Sequence, residues 1–260
     1  MTSGDGTIRP SLRLKSQRTP PPPPAAPEPV VVPQDPSWTL GGIDMLSDLT
    51  GEERRAIANG CTWLQVPEGG HVFELGDHSF AVCFLVKGRV RAVDHRAGAQ
   101  DVAFIDVTAG GSFGELSAVD GLPRSASMLA LEESIVAQLP RERFQALIQE
   151  HQSVCLRLLQ SFARNIRNTN KRLVDLSTRT PVQRVYSELL RASEPDPMKD
   201  GSWIIDPMPR HEEIASWAGT TTEIVARAVG QLLKLGVAKR RSKALHILDR
   251  QQIQRLAMAT

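Results

Sequence analysis

Cysteine is scarce: the chain of 260 residues holds three, Cys61, Cys83 and Cys155, far apart and each beside apolar neighbours. An odd, scattered set makes no disulfide framework, no CxxC redox pair and no zinc site, and it reads as buried free thiols in a reducing cytosol. The six histidines show no ligand spacing either, so no metal is expected. No run approaches the ~18 apolar residues of a membrane helix. The first residues are polar and basic, without a signal-peptide core, which predicts a cytoplasmic protein with no membrane partner. Net charge is also small, at +2, too little by itself to argue for nucleic acid. The basic excess is local, 13 Lys/Arg against 9 Asp/Glu from Ser177 onward, as charge patterning would place a nucleic-acid surface.

Apolar content of 41% and charge of 23% are ordinary for a globular chain, and the length suits two compact domains. Residues 1–38 stand apart. Prolines fill positions 20–24 and recur up to Pro36, a composition that cannot bury a core and predicts a disordered or polyproline arm. Residues 39–150 are read as the first domain. A short amphipathic helix carries Leu46, Leu49 and Ile57; from Thr62 to Leu139, β-prone runs such as AVCFLVKG and SIVAQL then alternate with glycine turns. That rhythm predicts an all-β sandwich or barrel.

A helical stretch follows Pro140, with a break near His151. Residues 151–177 form a long helix in which Cys155, Leu159, Phe162, Ile166, Thr169, Leu173 and Leu176 alternate spacings of four and three. Such a seam pairs with a copy of itself in a parallel homodimer or packs on its own barrel. Pro181 ends this helix region, and residues 178–260 are read as a second domain. There RHEEIASWAG and TTTEIVARAVGQLLKLG are two helices around Gly219, with Ile214, Ala218, Val225 and Leu232 on the packed face, followed by a hairpin in VAKRRSKALHILD.

The most informative string is SFGELSAVDGLPRSAS, Ser112 to Ser127. Gly114 lets backbone N–H groups approach an anion, and a short helix starting near Ser112 would aim its free N–H groups at a phosphate. Arg124 suits a charge-assisted contact to that phosphate, and Glu115, an acceptor only, suits a sugar hydroxyl. On spacing alone, Ser112-x-x-Glu115 is equally a capping box and Arg124 a surface charge. The string resembles the phosphate-binding cassette of cyclic-nucleotide-binding domains, shared by the catabolite activator family and cyclic-nucleotide-dependent kinases. The resemblance, which spans residues 44–250, implies an α+β protein: an N-terminal cyclic-nucleotide-binding β-barrel of jelly-roll type, a dimerisation helix and a C-terminal winged helix-turn-helix. It implies ligand contacts from Gly114, Glu115, Leu116, Arg124 and Ser125. It also implies that Thr169 and Asn170, standing where the family has Thr-Ser, meet the purine from the two subunits. Asparagine in place of serine leaves the base open: the reading favours cAMP, with cGMP, and after it cyclic di-GMP, as alternatives.

On the second helix, Glu223 and Arg227 lie one turn apart on one face. In a major groove Glu accepts from cytosine N4 and Arg reads guanine O6/N7; otherwise they form a surface ion pair, and Thr220-x-x-Glu223 a capping box. The pattern resembles the recognition element of the same family, with Thr222 where the catabolite activator often has arginine. That implies double-stranded DNA as partner, through Thr221, Thr222, Glu223 and Arg227, with Lys239 and Arg240 of the hairpin on phosphate. The loop at residues 195–203 lies where related activators touch RNA polymerase. No catalytic constellation lies in the remaining residues, so no enzyme is expected. Of that family's other sensors, the iron–sulfur branch needs a four-cysteine cluster, absent here, and for the haem branch the sequence offers no persuasive axial pair.

Overall fold

The computed structural model describes residues 27–94, 102–198 and 201–258. The run of prolines at 20–24 lies outside them. The arm is not wholly free of structure, however: Val30–Val32 forms β1 and pairs antiparallel with the next strand, Val31 opposite Leu64. Its three β-branched valines suit a sheet edge, so the folded unit begins before residue 39.

Helix α1 (Gly51–Ala58) starts at a capping box between Thr50 and Glu53. The barrel strands are β2 (Thr62–Val66), β3 (His71–Phe73), β4 (Val82–Lys87), β5 (Arg89–Asp94), β6 (Val102–Thr108) and β7 (Ser112–Phe113). After helix α2 (Glu115–Asp120) come β8 (Ser127–Ala130) and β9 (Ser134–Leu139). They form two facing antiparallel sheets, ordered β1-β2-β9-β4-β7 and β3-β8-β5-β6. Between the sheets lie Val66, Leu85, Val90 and Val136, each fully buried. A second cluster, with Phe84, Phe144 and Leu158, packs the outer sheet face against α3 (Arg141–Glu150) and the start of α4 (Gln152–Thr178). Among the cysteines only Cys83 is buried, and burial pushes its thiol up to about 12; Cys61 and Cys155 are half-buried.

Helix α4 has 27 residues, a length of about 40 Å. Its inner face, Val154 and Leu158, packs on the barrel. Of the expected seam, Cys155 and Phe162 are half-buried, whereas Leu159, Ile166, Leu173 and Leu176 are 54–62% exposed. Thr180 and Pro181 then open α5 (Pro181–Ala192) with a capping box to Gln183 and proline at the first turn.

The second domain adds β10 (Glu194–Pro195), β11 (Trp203–Ile205), α6 (His211–Ala218), α7 (Thr222–Lys234), β12 (Ala238–Arg241), β13 (Ala244–Ile247) and α8 (Arg250–Met258). Its sheet runs β10-β11-β13-β12, so the predicted hairpin is β12–β13. Helix α8 is absent from the sequence reading because only Ile253 and Ala257 mark its buried face. Ile214, Ala218, Val225 and Leu232 share one core with Val185 and Leu245, as their spacing predicts. Leu232 is fully buried at the centre of that core. Replacing it with alanine is expected to cost about 2–5 kcal/mol, read as a lower urea midpoint for the second domain.

Candidate functional site

Gly114 and Glu115, where β7 turns into α2, stand in the wall of a cavity. Gly114 takes φ +81° and caps α2, which therefore starts at Glu115, three residues later than the sequence suggested. Ser112 lies in β7, so Ser112-x-x-Glu115 is not a capping box. The strand pairing of Ser112 with Phe84 takes precedence over the local cap. An added Cβ at Gly114 would stand 2.6 Å from Arg124 Nη1. The residue must therefore be glycine for its conformation and for the guanidinium's place beside it.

Arg124 is no surface charge: it is 3% exposed. Its Nε donates to Ser79 Oγ at 2.9 Å, Nη1 to the Gly114 carbonyl at 2.8 Å and Nη2 to the Ala81 carbonyl at 2.8 Å. The guanidinium lies 3.9 Å from the Phe73 ring centroid. A guanidinium has five N–H groups, so these three bonds leave one on each Nη. Burial, the largest influence, lowers its pKa. Glu115, the first residue of α2, has a pKa raised chiefly by burial, and its Oε2 is buried with no hydrogen-bond partner. Glu115 and Arg124 both line one cavity.

The cavity holds about 760 Å³ and gathers Gly114, Glu115, Leu116, Arg124, Ser125 and Thr169, six of the seven residues singled out for a ligand. Asn170 does not line it and is exposed on α4. Four residues missed in the sequence do line it: Asn165, Asn168 and Arg172 of α4, and Arg191 of α5. Asn165 and Arg172 lie four residues before and three after Thr169, and Asn168 lies three after Asn165 and four before Arg172, so a helical wheel would have found them. Arg191 comes from the second domain and carries no local signal. Arg172 and Arg191 are already engaged. Arg172 donates to the Phe104 carbonyl and pairs with Glu188 at 3.6 Å, while Arg191 bonds both Glu188 and Asp175.

In the second domain α7 starts at Thr222, with Thr221 at its cap position and Thr220 buried behind it. Thr220-x-x-Glu223 is therefore no capping box, because Gly219 in the left-handed region turns Thr220 into the core. Glu223 and Arg227 are both exposed on α7. Hydrogen bonds from the Thr221 hydroxyl, the largest influence, and from Thr222 hold Glu223 below the usual carboxylate range. Thr221 is exposed and Thr222 half-buried, and Lys239 and Arg240 are exposed on β12.

Comparison with known proteins agrees with this division. The cyclic nucleotide-binding domain family matches residues 63–151, and the Crp-like helix-turn-helix domain family matches residues 183–256. A cyclic AMP receptor protein of Thermus thermophilus is 32% identical over 173 residues, 66% of this chain and 77% of that one. The chain belongs to the catabolite activator family of transcription regulators. A CRP-like cAMP-activated global transcriptional regulator of Mycobacterium tuberculosis is 26% identical over 80% of this chain and 94% of its own. The fold is shared with a CooA mutant from Carboxydothermus hydrogenoformans at TM-score 0.71 and 17% identity, over 82% of this chain and 95% of that one. As a member of this family the chain is a ligand-binding transcription regulator and not an enzyme. Among the described residues no helix is long and apolar enough to cross a membrane, and none group as a metal site.

Two outcomes follow for this family's cavity. Gly114→Ala displaces the guanidinium of Arg124 and is expected to weaken cyclic-nucleotide binding by about tenfold or more, equivalent to ~1.4 kcal/mol, in titration calorimetry. A ligand hydroxyl donating to Glu115 would favour the ionised carboxylate, and affinity would then rise as pH rises through that carboxyl's ionisation and fall as pH drops below it. Glu115→Gln should flatten that pH profile.

Proposed function

We propose that this regulator is a homodimer gated by cAMP that binds a palindromic DNA site. The observation that carries the reading is a pair lining one cavity, a buried guanidinium with N–H groups to spare and a buried carboxylate oxygen without a partner. In this reading Arg124 holds the cyclic phosphate, with Gly114 and Ser125 beside it, and Glu115 takes the ribose 2′-hydroxyl. The volume of about 760 Å³ suits a small-molecule site.

The α4 residues of the cavity favour adenine. Thr169, Asn165 and Asn168 line the cavity, and an asparagine amide matches adenine N6/N7. A guanidinium matches guanine O6/N7 instead, which makes cGMP the second reading through Arg172, although Arg172 is engaged by Glu188 and the Phe104 carbonyl. The relatives named for cAMP point the same way as the asparagines. Asn170, exposed and off its own cavity, suits a contact to the ligand of the partner subunit.

The exposed seam of Leu159, Ile166, Leu173 and Leu176 supports pairing of α4 with a second copy. Paired heads about 34–36 Å apart enter successive major grooves. There Glu223 and Arg227, flanked by Thr221 and Thr222, read base edges, and Lys239 and Arg240 hold phosphate. The ligand, bridging barrel and α4 through Thr169, alters the angle of both heads by its different affinity for the two arrangements. The loop around residues 195–203 is the candidate surface for RNA polymerase; residues 199–200 lie outside the described structure.

Calorimetric titration with cAMP, cGMP and cyclic di-GMP tests the ligand, and tightest binding of cAMP is the expected result. Arg124→Ala should abolish nucleotide-dependent gel shifts, and an unchanged nucleotide response would refute the cassette assignment. Arg227→Ala should relax preference at one base pair of each half-site by ~1–3 kcal/mol. An equal loss on every DNA sequence would mark it as a phosphate contact instead.

A further inference from the structure

Strand β6 is the outer edge of its sheet, and an edge strand presents unpaired backbone groups that must be covered. Helix α6 of the DNA-reading unit covers it. Across that junction the Ala103 amide donates to Ser216 Oγ at 3.1 Å. Glu213, Ser216 and Trp217, at positions i, i+3 and i+4, form the one face of α6 that meets the barrel.

Arg91, 6% exposed, is the centre of the contact. It stands opposite Asp106 across the β5–β6 ladder and makes two hydrogen bonds to it, of 2.6 and 2.7 Å. Its Nη2 also donates to Glu213 Oε1 at 3.1 Å, and its guanidinium lies 5.0 Å from the Trp217 ring centroid. Arg89 completes the group, 3.4 Å from Glu213 and 3.9 Å from Asp106. Two cations thus balance two carboxylates, and bonds of this kind fix direction as well as distance. Glu213 does a second thing: its other oxygen accepts from the Arg210 backbone N–H at 2.7 Å and caps α6. Asp106 for its part lines the ligand cavity. The same short chain of side chains therefore runs from the cavity wall to the first turn of the helix-turn-helix. Glu223 and Arg227 stay exposed while the contact is made, so docking leaves the reading surface open.

We infer that Arg91, seated on Asp106 and bonded to Glu213, is the positioning residue that sets the orientation of the DNA-reading helices relative to the ligand barrel. The inference rests on the DNA-binding reading above. It adds the residue through which the barrel controls the spacing of the two heads, and it predicts a dependence on geometry that a purely stabilising contact would not produce.

Glu213→Gln removes the charge that Arg91 meets and keeps a residue able to cap α6; Arg91→Gln removes the other partner. Two measurements test the pair on the full-length chain. Hydrogen exchange of the Ala103 amide reports docking directly and is expected to quicken by about tenfold or more, a change of ~1.4 kcal/mol in local opening. For the second, a palindrome is selected in vitro on the wild-type protein with cAMP and then lengthened by two base pairs between its half-sites. Wild type should discriminate strongly between the two duplexes, whereas each variant should lose at least about fivefold of that ratio, because a freed head tolerates altered spacing. A merely structural role would weaken both duplexes equally and leave the ratio intact, and that result overturns the inference. Unchanged Ala103 exchange overturns it as well. If Arg91→Gln fails to fold, Glu213→Gln carries the test by itself. A wild type that binds no palindrome refutes the DNA-binding reading itself, whereas a wild type with strict spacing and variants with the same strictness refute only the positioning role.

Discussion

A guanidinium taken out of water is tolerated only where nearly every direction around it meets an acceptor. Arg124 satisfies that condition with neutral groups: one hydroxyl, two backbone carbonyls and the face of Phe73. Those partners come from the turn after β3, from the start of β4 and from the glycine that opens α2. The cassette is therefore locked to the barrel by the cation itself. Its neutral surroundings also explain why the site suits an anion. The positive charge is braced yet uncompensated by any carboxylate bond, and Glu115 in the same cavity wall keeps an acceptor unspent.

Charge is handled differently where the two domains meet. At β5–β6 two arginines and two carboxylates close on one another, and at the α4–α5 hinge Arg172, Arg179 and Arg191 surround the buried Asp175 and Glu188. Burial, the dominant influence, raises the pKa of Glu188, as expected for a carboxylate shielded from water. Both clusters send a member to the cavity wall: Asp106 from the first, Arg172 and Arg191 from the second. A ligand filling that cavity would lie beside residues that hold the domains together, and a different affinity for two arrangements of those domains would couple the two sites.

Much of this was legible in the chain of residues because it is local. Alternating β-prone runs and glycine turns specify a barrel, and the four-three spacing in α4 specifies a long amphipathic helix. The packed face of Ile214, Ala218, Val225 and Leu232 follows from helical periodicity. The string from Phe113 to Ser127 carries glycine, carboxylate and guanidinium within one turn-helix-turn unit, so a short window contains half the site. The errors are equally instructive. At Ser112 and Thr220 the alternative of a capping box had the right residue types, but a β ladder claimed Ser112 and a left-handed glycine turned Thr220 inward. Val30–Val32 was assigned to an arm because prolines surround it, yet an open sheet edge recruits it.

What the sequence determined by itself is everything set by neighbours within a few turns: the barrel, the long helix, the helix pair and the cassette. What the tertiary structure alone decided is which distant side chains share a wall. Arg191 reaches a cavity built by the other domain, Asn170 turns away from it, and Arg91 meets Glu213 across 122 positions of chain. The physical reason is that periodicity and turn chemistry encode the direction of a side chain relative to its own element, whereas contacts between domains depend on how whole elements are docked, and no local pattern carries that information.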